Sequence, residues 1–310
     1  MHQINTVLIA GAGAIGSMVA WQLYNHNPQS VSLLARDERL ARYQRDGFVI
    51  NGAPCRFQLT DATGNSNPDL VIIACKFHHL DDLLSDLGNH IGPDTLILSL
   101  LNGISSEERI AAAFGIQRIP YAMIIGADAG YSGNRTTYTN PGIIYFGDAR
   151  NSLPWSLRVA AIADFFKHSG IAYTVPENML NRLWFKFMLN VGVNQITAIC
   201  RKPYRILQSA TSAPETMQLL DNAMREVINV AAAEGITLTG ADIESVHRTM
   251  DILGPEGKTS MCQDVEAGRK TEVELFSGTV MELGRKHGIP VPVNTVLYRL
   301  LKTVEEGVAS

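Results

Sequence analysis

The first hundred residues alternate between short, unbroken apolar runs and polar or helix-periodic stretches. Thr6–Ala10, Val31–Ala35, Leu70–Cys75 and Thr95–Leu100 are mostly valine, isoleucine and leucine, and each has the length of a strand. A strand with one wet face alternates apolar and polar residues; these do not. They predict a parallel sheet covered by helices on both faces. Ile119–Ala127 and Thr136–Phe146 add two β-rich stretches around a Gly/Asn turn region, and Ile171–Val175 is a last strand-like run. The pattern then changes. A long helix opens at Pro176, followed by helical stretches over Pro214–Gly235, Gly240–Gly254, Met261–Gly288 and Asn294–Glu306. The chain reads as α/β, a doubly wound parallel sheet over residues 1–175 followed by an all-helical domain over residues 176–310.

Composition narrows the field. The chain has 310 residues, 46% of them hydrophobic and 18% charged, which excludes disorder and suits two domains with cores of their own. Net charge is −4 with no basic stripe or polybasic tail, so nucleic acid is not an expected partner. The four cysteines, Cys55, Cys75, Cys200 and Cys262, are scattered without a CxxC, which points to a reducing compartment and no disulfide framework. The opening MHQINTVLIAGAG enters a strand at once and lacks the parts of a signal peptide. No apolar run reaches the roughly 18 residues of a membrane span. The expectation is a cytoplasmic protein with no membrane partner and no metal; His78 and His79, with no third ligand near them in sequence, read as loop residues.

Gly11-Ala12-Gly13-Ala14-Ile15-Gly16 fits G-x-G-x-x-G between a strand and an apolar helix. Each glycine has a separate task in a Rossmann-type fold. Gly11 makes the tight turn, Gly13 lets a pyrophosphate approach the backbone, and Gly16 lets helix and strand pack closely. The helix N-terminus then offers free N–H groups and its positive dipole end to the phosphates. The plainer alternative is a tight strand–helix turn with no ligand. The second strand ends in Arg36, where an NAD site usually carries Asp or Glu; a guanidinium there can clamp the 2′-phosphate of NADP(H). Asp37 and Glu38 follow at once, and a solvated turn arginine is the alternative. Lys76 and Asn102-Gly103 follow the next two buried runs, at strand ends that face the crevice of such a sheet.

The second half carries a polar row. Lys186, Asn190 and Asn194 recur at i, i+4, i+8 in Leu183–Ile199, an otherwise apolar helix, so one face stacks all three. An ammonium so surrounded needs a polar cleft or a partner. If Met261–Gly288 is one long helix at about 100° per residue, Glu272 falls on its apolar face with Val265, Phe276, Val280 and Leu283, opposite Glu274 and Arg285. Lys186 is its natural partner, in a catalytic or a purely structural pair. Ser260, at that helix's start, serves as an N-cap or as a ligand.

These residues together resemble the ketopantoate reductase (2-dehydropantoate 2-reductase) family over nearly the whole chain. The carriers are Gly11–Gly16, Lys76, Asn102-Gly103, Leu183-Trp184-x-Lys186-x-x-x-Asn190-x-x-x-Asn194, Ser260-Met261-x-Gln263-Asp264-x-x-x-Gly268-Arg269-x-Thr271-Glu272, and Gly288-Ile289-Pro290-x-Pro292-x-Asn294. The resemblance implies NADPH-dependent reduction of 2-dehydropantoate to pantoate, toward pantothenate and coenzyme A. It implies Lys186 as general acid and Glu272 as the carboxylate that positions that lysine and the substrate hydroxyl. Asn190, Asn194 and Ser260 become substrate-binding residues, Lys76 and Asn102 contact nicotinamide ribose and substrate, and Arg36 holds the 2′-phosphate. Leu101, where a polar residue is expected before Asn-Gly, and Cys262, where a larger apolar one is usual, depart from the pattern and leave the oxo acid open. The rival readings are a reductase of another branched 2-oxo acid and a non-catalytic NADPH sensor. The partner expected is a small 2-oxo acid, with a homodimer left open.

Overall fold

Val7–Ala10 (β1) carries no polar residue because it has no open face. It is the middle strand of a five-stranded sheet in the computed structural model, which describes residues 3–307. After it come α1 (Ala14–His26), β2 (Val31–Leu34), α2 (Asp37–Asp46), β3 (Phe48–Ile50), β4 (Ala53–Cys55), β5 (Gln58–Thr60), β6 (Leu70–Ile73), α3 (Leu80–Leu87), β7 (Leu96–Ser99) and α4 (Ser106–Phe114). The sheet order is β5-β2-β1-β6-β7 and all its pairs are parallel, with Val7 flanked by Val31 and Leu70. Side chains alternate across a strand. Val7 and Ile9 therefore enter one apolar core, while Leu8 and Ala10 enter a second on the opposite face with Val71 and Ile110. Each full burial of a Leu or Ile contributes roughly 1.5–3 kcal/mol, so neither face tolerates a polar residue cheaply. Chain order reverses between β1 and β6, and such a reversal opens a ligand crevice beyond the strands' carboxyl ends.

The first unit continues through β8 (Tyr121–Ile125), β9 (Gly130–Ser132), β10 (Arg135–Thr137), β11 (Ile143–Gly147), α5 (Leu157–Ser169) and β12 (Tyr173–Thr174). These complete two smaller sheets, β4-β3-β10-β9 and β12-β11-β8. The stretch Thr136–Phe146 splits into β10 and β11 because Gly142, at φ +73°, turns the chain between them. Ser17 of α1 meets Thr136 of β10 hydroxyl to hydroxyl at 2.7 Å, tying the helix after the glycine loop to the second sheet.

The second unit starts at Asn181, inside the first turn of α6 (Met179–Cys200), against the boundary expected near residue 175. Pro176 does not open that helix. Its carbonyl accepts a hydrogen bond from Asn151 Nδ2 at 2.7 Å, and the helix begins at Met179. Then follow α7 (Pro214–Ala233), α8 (Gly240–Ile252), α9 (Ser260–Glu266), α10 (Thr279–His287) and α11 (Pro292–Glu306). Pro214 and Pro292 stand in the first turns of α7 and α11, where a missing N–H costs nothing. A Cβ on Gly192 of α6 would lie 2.7 Å from Leu220 Cδ1 of α7, so glycine there permits a close helix crossing. The carboxylate of Glu226 accepts the N–H groups of Val293 and Asn294, both at 2.8 Å, and satisfies the start of α11.

Met261–Gly288 is not one helix. Gly268, at φ +66°, ends α9 in the left-handed conformation, with Arg269 N donating to Asp264 O at 2.8 Å. Residues 269–273 are irregular, and a π-helical turn, Glu274–Gly278, leads into α10. Apolar periodicity runs on through this break, which is why the sequence reads as continuous.

Candidate active site

In the first unit the glycine loop and the end of β6 meet at the reversal point. A Cβ on Gly11 (φ +104°) would fall 2.7 Å from both Ala74 C and Cys75 N, and one on Gly16 would fall 1.9 Å from Gly11 O. Both positions need glycine for the fold itself. Gly13 differs: a Cβ there would meet nothing within 4 Å. It is the N-cap of α1 and has no side chain to satisfy the first N–H groups of that helix, with Ala14, Ile15 and Gly16 following it. An open space beside uncapped N–H groups fits a dinucleotide's pyrophosphate. Ala12, between the glycines, is buried, and its carbonyl accepts from Tyr43 OH of α2 at 3.4 Å.

Arg36 follows the end of β2 with only Ala35 between them, at the N-cap of α2, with its side chain half exposed. Its Nη2 is 3.2 Å from Asp82 Oδ2 and its Nη1 3.3 Å from Asp86 Oδ1, both on α3. Asp86 foremost, aided by Asp82, raises the guanidinium's pKa above its ordinary value. Lys76, partly buried, follows β6 and opens a 3-10 turn, Phe77–His79. Asn102 is partly buried in the loop after β7, beside Gly103 at φ +85°. Ser99 and Ser106 close the base of that loop hydroxyl to hydroxyl at 2.8 Å, and Ser106 donates onward to buried Glu107 at 2.9 Å. Serines seven residues apart around an apolar turn give no sequence signal for such a brace.

In the second unit α6 stacks Lys186, Asn190 and Asn194. Lys186 is partly buried, and each asparagine is 7% exposed. One turn past Asn194, Thr197 Oγ1 meets Thr259 Oγ1 at 2.8 Å. Thr259, not Ser260, is the N-cap of α9, and its hydroxyl accepts from Cys262 N at 3.1 Å. Ser260 is the first helical residue and is exposed, which removes its capping role and leaves its hydroxyl presented where α9 starts against α6. Gly257 and Pro255, in the loop before it, accept from Tyr204 N and Arg205 N at 2.8 and 3.1 Å, so the loop is anchored at its centre.

Glu272 is only 7% exposed, yet it does not sit on the apolar face of a helix; it belongs to the irregular segment before the π-helical turn. Its neighbour Thr271 donates through both its N–H (2.8 Å) and its hydroxyl (2.6 Å) to Glu305 Oε1 of α11. Lys302 Nζ then binds Glu305 and Glu274, each at 2.8 Å. Burial pushes the Glu305 carboxyl up, but the hydrogen bonds from Lys302 and Thr271 outweigh it and hold the group below its ordinary range. Glu272 is thus carried by a segment clamped from α11. π-Helical turns inside helical regions are frequent at functional sites. Asn294 of the C-terminal motif is structural, fully buried between Ser277, Ala223 and Glu226. Among the described residues no group of three or more His, Cys, Asp or Glu side chains could hold a metal ion.

Comparison with known proteins matches two family models, "Ketopantoate reductase PanE/ApbA" over residues 7–151 and "Ketopantoate reductase PanE/ApbA C terminal" over residues 178–305. The 2-dehydropantoate 2-reductase of Pyrococcus horikoshii is 26% identical over 96% of this chain and 97% of its own. A D-mandelate dehydrogenase solved with NADH and anilino(oxo)acetate shares the fold at a TM-score of 0.87 and 23% identity, over 98% of this chain and 100% of that one. A dimeric ketopantoate reductase from Staphylococcus aureus does so at 0.80 and 22%, over 98% and 99%.

Proposed function

The chain belongs to the ketopantoate reductase family, and from that premise we propose that this oxidoreductase reduces 2-dehydropantoate to pantoate with NADPH, toward pantothenate and coenzyme A. The observation that carries the reading is the row on α6, where a partly buried ammonium, Lys186, shares a helix face with two buried amides. Reduction of a ketone gathers negative charge on its oxygen, which calls for a positive donor out of bulk water. Lys186 delivers the proton from Nζ to that oxygen. Glu272 orients Lys186 and the substrate hydroxyl, and its clamp from Thr271 and Glu305 fixes its place. Asn190, Asn194, Ser260 and Asn102 bind the oxo acid. Gly11–Gly16, with Ala12, Ala14 and Ile15, hold the pyrophosphate; Arg36 takes the 2′-phosphate, and Lys76 and Asn102 the nicotinamide ribose. The cofactor, when bound, supplies the hydride.

A second reading, reduction of another branched 2-oxo acid, is favoured by Leu101 and Cys262, both buried, at positions where the family expects other residues. A non-catalytic sensor would have no use for Lys186. We place the protein in the cytoplasm, supported by four scattered cysteines without a CxxC, which suit a reducing compartment; a second copy is the protein partner this reading allows. The test is NADPH oxidation, followed by absorbance, with 2-dehydropantoate beside a panel of 2-oxo acids. Lys186→Ala should lower kcat by roughly 10²–10⁴-fold, the scale of a general acid, with NADPH binding little changed. A folded Lys186→Ala enzyme with unchanged kcat would overturn the assignment, and a faster rate on another oxo acid would transfer it to the second reading.

A further inference from the structure

Arg36 meets a carboxylate at each of its nitrogens. Asp82 is 3.2 Å from Nη2, Asp86 is 3.3 Å from Nη1, and Asp37 is 3.9 Å from Nε. Of the two from α3, Asp82 lies in the first turn, where the dipole favours it, and Asp86 sits against local electrostatic preference. Asp86 occupies the last turn of α3, where the helix dipole disfavours negative charge, and it stands four residues from Asp82, a like-charge spacing that destabilises a helix. Its side chain is only 16% exposed, so it cannot simply turn into water. The compensation visible in the structure is the guanidinium. A 2′-phosphate would need the same two nitrogens, bidentate, and would bring its negative charge beside both carboxylates. A free 2′-hydroxyl needs an acceptor instead and pays no such repulsion.

We infer that Asp82 and Asp86 set this chain's cofactor preference, holding Arg36 in competition with the 2′-phosphate and narrowing the advantage of NADPH over NADH. The inference rests on the 2′-phosphate role proposed above for Arg36. It predicts a protein that accepts both dinucleotides and whose selectivity is released by neutralising α3.

Calorimetric titration of the full-length Asp82→Asn/Asp86→Asn protein with NADPH and with NADH tests it, beside Arg36→Ala as the control for the underlying reading. Exposed ion pairs each contribute modestly, so NADPH should bind roughly 3- to 10-fold more tightly and NADH within about twofold of the parent. The gain should shrink as salt is added. An unchanged NADPH:NADH ratio, with Arg36→Ala still abolishing the preference, overturns the role of the carboxylates and leaves the Arg36 assignment standing. A preference that survives Arg36→Ala overturns both. Asp82→Asn alone, at a side chain 67% exposed, carries the test should the double variant fail to fold; a partial gain supports the inference and none refutes it.

Discussion

Gly13→Ala separates what the glycine loop does for the fold from what it does for a ligand. Gly13 has φ −83° and ψ −158°, a conformation alanine adopts freely, and its added methyl would meet nothing within 4 Å. Replacing glycine at a compatible site stabilises by about 0.4–1 kcal/mol through the unfolded chain. Alanine is a poorer N-cap than glycine by roughly 0.5–1 kcal/mol. The two nearly cancel, and at roughly 2–4 °C per kcal/mol the variant should melt within about 2 °C of the parent. Cofactor binding should suffer alone. A methyl in the space proposed for the pyrophosphate would cost about 1–3 kcal/mol of overpacking, or roughly 5- to 150-fold in Kd. Gly16→Ala makes the contrast: its Cβ would lie 1.9 Å from a backbone oxygen, so the loop itself must move, with early melting and loss of binding together. Thermal melts and calorimetric titration with NADPH decide the matter. A Gly13→Ala protein that binds NADPH like the parent would refute the cradle argument.

Two further outcomes concern the clamp on residues 269–273. Thr271→Val keeps the shape and the N–H but removes the hydroxyl bound to Glu305, a hydrogen bond to a charged group worth roughly 1.5–3 kcal/mol; kcat should fall and stability with it, Thr271→Ser should restore both, and a fully active valine variant would sever the clamp from Glu272. Glu305 is held below the ordinary carboxylate range in the folded chain, so its contribution is present above about pH 4.3 and is lost as pH falls through the lower folded value; melting temperature should drop in that acid window, less so in Glu305→Gln, and identical profiles would count against the clamp's charge.

The large parallel sheet is legible because its cause is local. β1, β2, β6 and β7 are buried on both faces, and the composition of a short run reports that directly. The glycine loop is legible for a similar reason, since two steric demands and an open helix start fall within six residues. What escapes are features fixed at a distance or by one residue. Gly268 breaks a helix whose apolar period continues on either side, so Glu272 looks helical when it is not. The cap at Thr259 rather than Ser260 is a choice between adjacent hydroxyls, and the contact that distinguishes Thr259, with Thr197, comes from far back in the chain. Arg36 is readable at its strand end, but Asp82 and Asp86 reach it only after α3 packs on the sheet's face. The row on α6 is plain because helical spacing puts it on one face, whereas the clamp on Thr271 needs α11 in place.

The sheet's strand order has a consequence for the protein's birth. β1 leaves the ribosome before either of its partners, which begin at Val31 and Leu70. Until the second of them emerges, the nascent chain presents Val-Leu-Ile-Ala with an unpaired backbone edge and, on the face of Leu8 and Ala10, an apolar surface whose partners Val71 and Ile110 are still to come. Such a segment is prone to association with other chains. A pause in translation before Leu70 would lengthen that exposure.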